Sequence, residues 1–353
     1  METTLQQNYQ KSLDNYKTCI YGHKKNPKLL SKIHQAIPEK AMSFIDLFSG
    51  TGVVGWSVKH QRNIKILSND IMKYACLRAK VLVANNGITL TQDDLKVLTR
   101  PNPHRKNYIE CFYGRFMGEH NYTFLDNWAA NIPSLNDPIK RDIAAFIPTY
   151  NIMSRNEYCA VTFSPLGTLT GYRNYWDIDL KTECLDYAQN IFPLMVYNNH
   201  QKNEVYNEDA VGLLPIIHAD FLYIDSPYCA PGGGGEYEPH LAFYDDLVQI
   251  FSGRANEIVN YCDHKADLAP YTKFYNRQTA FEGFVKIFQN SGHIPTLLIS
   301  YNTTSDIDPE ELVVIAHTYG RKTSIEYVDY TRPTTQKGNN NKTKEIFLIC
   351  SYK

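Results

Sequence analysis

Long apolar runs are missing from the 353 residues: none approaches the length of a membrane-crossing helix, and the polar start METTLQQNYQ is no secretory signal. Neither membrane insertion nor export is expected. Cysteine is sparse and scattered, with 8 residues, no C-x-x-C pair and no Cys/His group at zinc spacing. The thiols therefore read as reduced in a cytoplasm, and no structural metal is predicted. An excess of positive charge is absent too, since 36 Lys and Arg against 37 Asp and Glu leave a net charge of −1. This excludes a chain coated in basic residues, although a local basic groove would suffice to neutralise phosphates. Tryptophan is rare at 3 residues, whereas 26 Tyr and 16 Phe are present. Those rings suit sheet packing and base stacking alike, so their number alone decides nothing.

What is present reads as an α/β protein. A chain of this length buries one large core or two modest ones, so one main domain with an insertion is expected. Met42 to Phe48 is a short apolar run ending at Ser49-Gly50, which predicts a buried strand. A helix is predicted from Gly52 to about His60, a strand over Ile64 to Ser68, and helical spacing over Met72 to Asn85. Strand, glycine turn, helix and strand open a parallel sheet. From about Asp93 to Asn190 the alternation stops, and Pro, Asn, Tyr and Arg become frequent. Within that segment SPLGTLTGYRNYW predicts a glycine-punctuated loop or hairpin. Alternation returns with strands at Val205-Tyr206, Ala219 to Ile224, Pro295 to Tyr301 and Glu345 to Ser351. The polar run KGNNNK near the end predicts a loop.

Gly50-x-Gly52-x-x-Gly55 matches the dinucleotide fingerprint and lies between predicted strand and helix. Its surroundings argue for a different ligand. Asp46, inside the strand end, would repel a pyrophosphate but suits an ammonium, such as the methionine end of S-adenosylmethionine. Asp70, at the end of the next strand, offers two oxygens to the ribose hydroxyls. Either acid taken singly could equally be a turn or helix cap. Together, at successive strand ends beside the glycine turn, they favour the ligand.

Phe221-Leu222-Tyr223-Ile224 delivers Asp225-Ser226-Pro227-Tyr228 to the carboxyl edge of the sheet, where α/β ligands bind. An amino nitrogen conjugated to an aromatic ring is a poor nucleophile, because its lone pair is delocalised. Acceptors that hold its two hydrogens let it move towards tetrahedral geometry. The Asp225 carboxylate supplies one acceptor and the Ser226 carbonyl the other. Pro227 biases Ser226 towards an extended conformation that keeps the carbonyl aimed. Tyr228 supplies a flat face for an extruded base. Catalysis of this kind is positioning and electrostatics without a covalent enzyme intermediate. Alone, the tetrapeptide would read as a strand-ending turn.

These elements, in this order, resemble the adenine-specific DNA methyltransferases, in particular the Dam-like class of restriction–modification and phage enzymes. The family's glycine motif, D-x-F-x-G-x-G, is met by Asp46, Phe48, Gly50 and Gly52, with Leu47, Ser49 and Thr51 at its open positions, and the D-P-P-Y motif by Asp225, Pro227 and Tyr228. Ser226 stands where the family usually has Pro; the acceptor carbonyl survives that change. Upstream, Tyr21-Gly22-His23-Lys24 resembles the family's lysine segment, with two extra residues before Leu29-Leu30 and Ile20 where an aromatic is usual. The resemblance implies a Rossmann-like, S-adenosylmethionine-dependent methyltransferase sheet over 1–92 and 191–353, with a DNA target-recognition insertion over 93–190. It implies cofactor contacts from Tyr21, Lys24, the Asp46–Gly52 segment, Asp70, Ile71, Asp209 and Ala210. Leu297 to Asn302, ending in S-Y-N, is expected to shape the base pocket.

The implied partner is double-stranded DNA, in a prokaryotic cytoplasm, with a cognate restriction endonuclease as a candidate partner and a monomer or weak dimer as the expected state. A base inside a duplex must be rotated out before it can be methylated. The insertion offers Arg105, Lys106, Arg115, Arg155, Arg173 and Tyr175 as DNA contacts, among a wider set with Arg100, Arg141, Tyr108, Tyr113, Tyr122, Tyr150 and Tyr172. Lys337 to Lys344 is a second candidate phosphate-contacting loop, and Gly232 to Gly235 a loop that could close over the target. Three alternatives stay open: a cytosine-amino or RNA methyltransferase of the same fold, a nicotinamide-dependent oxidoreductase using the glycine turn, and a non-catalytic DNA-binding relative.

Overall fold

Apolar runs such as Phe44-Ile45 and Phe221 to Ile224 leave no face for water, and they become inner strands of a seven-stranded sheet. The computed structural model describes residues 2–16, 26–113, 117–155, 162–163, 169–170, 178–228, 238–257, 274, 276–303, 305–332 and 341–352. In chain order the sheet strands are β1 (Ser43–Asp46), β2 (Lys65–Asn69), β3 (Glu204–Tyr206), β4 (Phe221–Ile224), β5 (Thr296–Asn302), β6 (Lys322–Arg332) and β7 (Asn341–Ser351). Across the sheet they run β3-β2-β1-β4-β5-β7-β6. The first five are parallel, and β7 is antiparallel to both its neighbours. The strand order reverses between β1 and β4, the crevice in which open α/β sheets take their ligands.

At the amino ends, the Asp220 carboxylate accepts from the Met42 backbone amide at 2.8 Å and the Ser43 hydroxyl at 2.9 Å, which ties the starts of β1 and β4 together. One apolar core runs under the sheet through Ile45, Leu222, Leu297, Ile299, Phe284 and Ile346. Predicted and observed strand bounds differ by a few residues. Strand β6 was not among the predicted ones: its KTSIEYVDYTR mixes polar and apolar residues without an apolar run, as an edge strand that pairs on one side only can. The predicted loop Lys337 to Lys344 needs correction from 341 onward, because β7 begins at Asn341, opposite Arg332. Backbone pairing with β6 supplies the hydrogen bonds there whatever the polarity of the side chains.

The chain divides into two compact units. A sheet unit comprises Ile20–Ala79, Asn199–Glu238 and Ala266–Lys353, and a helical unit comprises Met1–Cys19, Lys80–Asn198 and Pro239–Lys265. The helical unit thus contains the predicted insertion and more. Its described helices include Gln92–Thr99, Glu119–Asn131 and Pro138–Arg155, and a two-residue ribbon pairs Thr162–Phe163, just before the predicted loop or hairpin, with Leu169–Thr170 inside it. Buried amides sew it together: Asn131 donates to the carbonyls of Leu98 (3.2 Å) and Arg100 (2.8 Å) and accepts from Asn102 (3.0 Å). The Trp128 indole donates to the Ala144 carbonyl at 2.8 Å. No described helix is long and apolar enough to cross a membrane.

Candidate active site

The turn after β1 is built by glycine. Gly50 and Gly52 sit at φ 49° and 70°, in the left-handed region that other residues enter only at a cost. Gly52 caps the helix Val53–Gln61. Gly55 answers a different need, since a Cβ there would meet Ser68 Oγ at 3.4 Å and Asp46 Oδ2 at 3.5 Å, so helix and strands pack as closely as glycine allows. Asp46 is 1 % exposed and its Oδ2 accepts from the Gly55 amide at 3.2 Å. Among the described residues its Oδ1 has no hydrogen-bond partner, and neither has the buried Ser49 hydroxyl. Burial, with the Asp225 carboxylate adding to it, pushes the Asp46 carboxyl up to about 8. A buried acid kept neutral in this way, with an open oxygen, is suited to a cationic group that restores its charge.

Asp70 is bound more fully. Its Oδ2 accepts from the Gly50 amide at 2.7 Å and its Oδ1 from the Met72 amide at 2.9 Å, so it braces the glycine turn, while burial holds its carboxyl above the usual range. Both oxygens retain lone pairs for further donors. Ile71 beside it is 37 % exposed. Asp209 caps the short helix Ala210–Leu213 by accepting from the Gly212 amide at 3.0 Å, and Ala210 is buried behind it. Sequence reading missed Asn69, whose side chain donates to the Leu47 carbonyl (3.1 Å) and the Glu208 carbonyl (3.2 Å). One buried amide thus joins the carboxyl ends of β1, β2 and β3. Its signal was its place in the Asn69-Asp70 pair at a strand end.

The tetrapeptide leaves β4 beside the end of β1, as the pairing of Asp46 with Tyr223 fixes. Asp225 and Pro227 are half-buried, while Ser226 is buried with a hydroxyl that lacks a partner among the described residues. Tyr228 is 6 % exposed and packs edge-on against Tyr301 at 5.3 Å, so the expected stacking face is largely covered. Its hydroxyl donates towards both Asp225 Oδ1 and Glu345 Oε1, each at 3.0 Å. Beneath, the Tyr223 phenol is held well above its usual range by burial and then by the carboxylates of Asp225, Glu345 and Asp46. Edge-on rings run from Phe48 through Phe274 and Phe284 to Tyr301, at 5.2, 5.7 and 5.5 Å, so the glycine turn and Tyr228 rest on one aromatic layer. Sequence reading named the Ser300-Tyr301-Asn302 strand end but not Glu345, which gave no local signal.

Tyr21, Lys24, Arg115, Arg173, Tyr175, Tyr172 and Gly232 to Gly235 lie outside the described residues. Arg105 is half-buried and Lys106 exposed on the helical unit, and Arg155 ends the helix Pro138–Arg155. Two tyrosines of the wider set are packing residues: Tyr113 and Tyr150 are 3 % and 2 % exposed, with their hydroxyls donating to Asp246 and to the Asn15 carbonyl.

A family model described as the D12 class of N6 adenine-specific DNA methyltransferases matches residues 22–233, which include both the glycine turn and the tetrapeptide. The chain is 25 % identical to the type II methyltransferase M2.HphI of Haemophilus parahaemolyticus over 91 % of its own length and 94 % of that relative. It is 27 % identical to the type II methyltransferase M.FokI of Planomicrobium okeanokoites over 83 % of its length, spanning 46 % of that relative. Modification methylase StsI of Streptococcus sanguinis is 25 % identical over 88 % of the chain, and the chain spans 47 % of it. A nicotinamide-binding oxidoreductase does not fit this match. With two acid-bearing strand ends meeting at the switch point of a mixed α/β sheet, and the family model covering both, the chain belongs to the D12 class of N6 adenine-specific DNA methyltransferases.

Proposed function

We propose that the Asp46–Gly52 corner holds S-adenosylmethionine and that the Asp225–Tyr228 corner holds the target adenine. The supporting observation is the adjacency of the two corners on β1 and β4, close enough for the Asp225 carboxylate to raise the pKa of Asp46. The open Asp46 Oδ1 and the Ser49 hydroxyl fit an ammonium, and Asp70 and Ile71 fit a ribose and an apolar edge of adenine. Asp209, Ala210, Leu47, Phe48 and Thr51 complete that surface, with Tyr21 and Lys24 as further contacts from the preceding segment. The cofactor supplies a methyl group on a positively charged sulfur. Asp225 accepts one hydrogen of the adenine amino group and the Ser226 carbonyl the other, held extended by Pro227. The nitrogen lone pair is then directed at the methyl. Tyr228 offers its ring once the base has entered, which requires its covered face to open.

Residues 93–190 form the DNA target-recognition insertion in this reading, with Arg105, Lys106, Arg115, Arg155, Arg173 and Tyr175 as contacts to a duplex from which the adenine is rotated out. The names of the relatives, a type II methyltransferase and a modification methylase, support a modification enzyme; a cognate endonuclease as partner and a bacterial cytoplasm as the setting belong to the same reading. Labelled S-adenosylmethionine and duplex DNA test the proposal directly. The expected result is label in N6-methyladenine at one recurring site. A folded protein that binds no S-adenosylmethionine overturns the cofactor reading, and label spread over many sequences overturns the recognition reading.

A further inference from the structure

Glu345 lies on β7 opposite Asn302 of β5 and has 0 % exposure. Burying a carboxylate is costly unless donors meet it. The β5–β7 ladder does not need this one, since its register is carried by backbone pairs from Thr296↔Ser351 to Asn302↔Glu345. Two of its bonds go to the catalytic corner: Glu345 Oε1 accepts from the Ser300 hydroxyl at 2.5 Å and from the Tyr228 hydroxyl at 3.0 Å. That same hydroxyl lies 3.0 Å from Asp225 Oδ1. A phenol has one proton, so two carboxylates compete for a single donor. A proton aimed at Asp225 draws charge from the group that must accept from the target amine. A proton aimed at Glu345 takes this donor off Asp225 and strengthens it as an acceptor.

We infer that Glu345, braced by Ser300, is a positioning residue that takes the Tyr228 proton and so frees Asp225 to accept from the adenine amino group. No covalent bond changes; the phenol turns about its C–O bond as the amine hydrogen arrives. The inference rests on the reading of Asp225 given above.

A double-mutant cycle tests it. Glu345→Gln keeps size and hydrogen bonding but is a weaker acceptor, so the phenol turns back to Asp225. Single-turnover methyl transfer is expected to fall about 10- to 100-fold, the effect of one charge-assisted hydrogen bond, while KM for DNA and cofactor affinity stay within about twofold. In a Tyr228→Phe background no phenol proton remains to be diverted, so adding Glu345→Gln is expected to cost less than about threefold. Ser300→Ala, in the same two backgrounds, should follow the same pattern with a smaller effect, and it carries the test if Glu345→Gln does not fold. An equal slowing in both backgrounds, or no slowing at all, overturns the inference. Asp225→Ala in the same assay separates the two claims. Full activity in that variant overturns the Asp225 reading itself, whereas an inactive Asp225→Ala with an additive cycle overturns only the role of Glu345.

Discussion

The two compact units bury polar groups for opposite ends. In the helical unit, Asn131, Asn121 and Asp126 are sunk in the interior with their donors and acceptors engaged by backbone groups of neighbouring segments and, for the Asn131 oxygen, by the Asn102 side chain. They substitute for secondary structure, closing the loops that join short helices. In the sheet unit, Asp46, Ser49 and Ser226 are equally buried, yet each keeps an atom without a partner among the described residues, and all lie at the carboxyl ends of β1 and β4. Unmet hydrogen-bonding capacity in a protein interior is costly, and it persists where a ligand supplies the missing partner. The contrast marks Asp46, Ser49 and Ser226 as candidates for ligand contact.

The largest effect expected from this contrast is at Asp225. Asp225→Ala should lower single-turnover methyl transfer about 10³-fold while leaving cofactor binding measurable by calorimetry. Activity near the parent level would place the chemistry elsewhere. Next comes Asp46. With its carboxyl pushed up to about 8, binding of an ammonium group expels a proton, so affinity for S-adenosylmethionine should rise by up to about tenfold per pH unit between pH 6 and 8. Asp46→Asn should bind weakly and show no such slope. Stability runs the other way: the folded chain keeps a proton that an ordinary carboxyl releases at 3.8, so this contribution is full below that pH and is lost as pH rises through about 8. Urea titrations at pH 6 and 9 should therefore find Asp46→Asn gaining on the parent protein at the higher pH.

In the helical unit the same kind of substitution should cost stability alone. Asn131→Ala removes three hydrogen bonds and is expected to destabilise by roughly 2 kcal/mol in urea, with no pH dependence of its own. Replacing Arg105 and Lys106 by Ala should weaken DNA binding uniformly across sequences and reduce the slope of affinity against salt by about one for each phosphate no longer neutralised. An unchanged slope would remove both residues from the interface. The smallest effect is at Ser226, where Ala deletes a buried hydroxyl without a partner among the described residues and should stabilise the fold by about 1 kcal/mol.

The legible parts of the site were those written into a few consecutive residues. The glycine turn, the acids at the ends of β1 and β2 and the Asp225–Tyr228 corner could be read because left-handed glycine, strand-ending acids and a proline that aims a carbonyl are local backbone matters. Strand β6 escaped notice because this edge strand is rich in polar residues and carries no apolar run. Asn69 was not singled out, although its amide joins three strand ends. Tyr228 was expected to show a face and instead lies covered against Tyr301, a consequence of the aromatic layer beneath it.

Order and spacing of short motifs were enough to announce a parallel sheet and an acid at each of two successive strand ends, because each motif satisfies a constraint within one turn of chain. That Glu345 should meet a hydroxyl 117 positions away could come only from the stacking of whole strands. Register between β5 and β7 is chosen by the burial of every apolar side chain along them, a sum over the sheet that no single residue records.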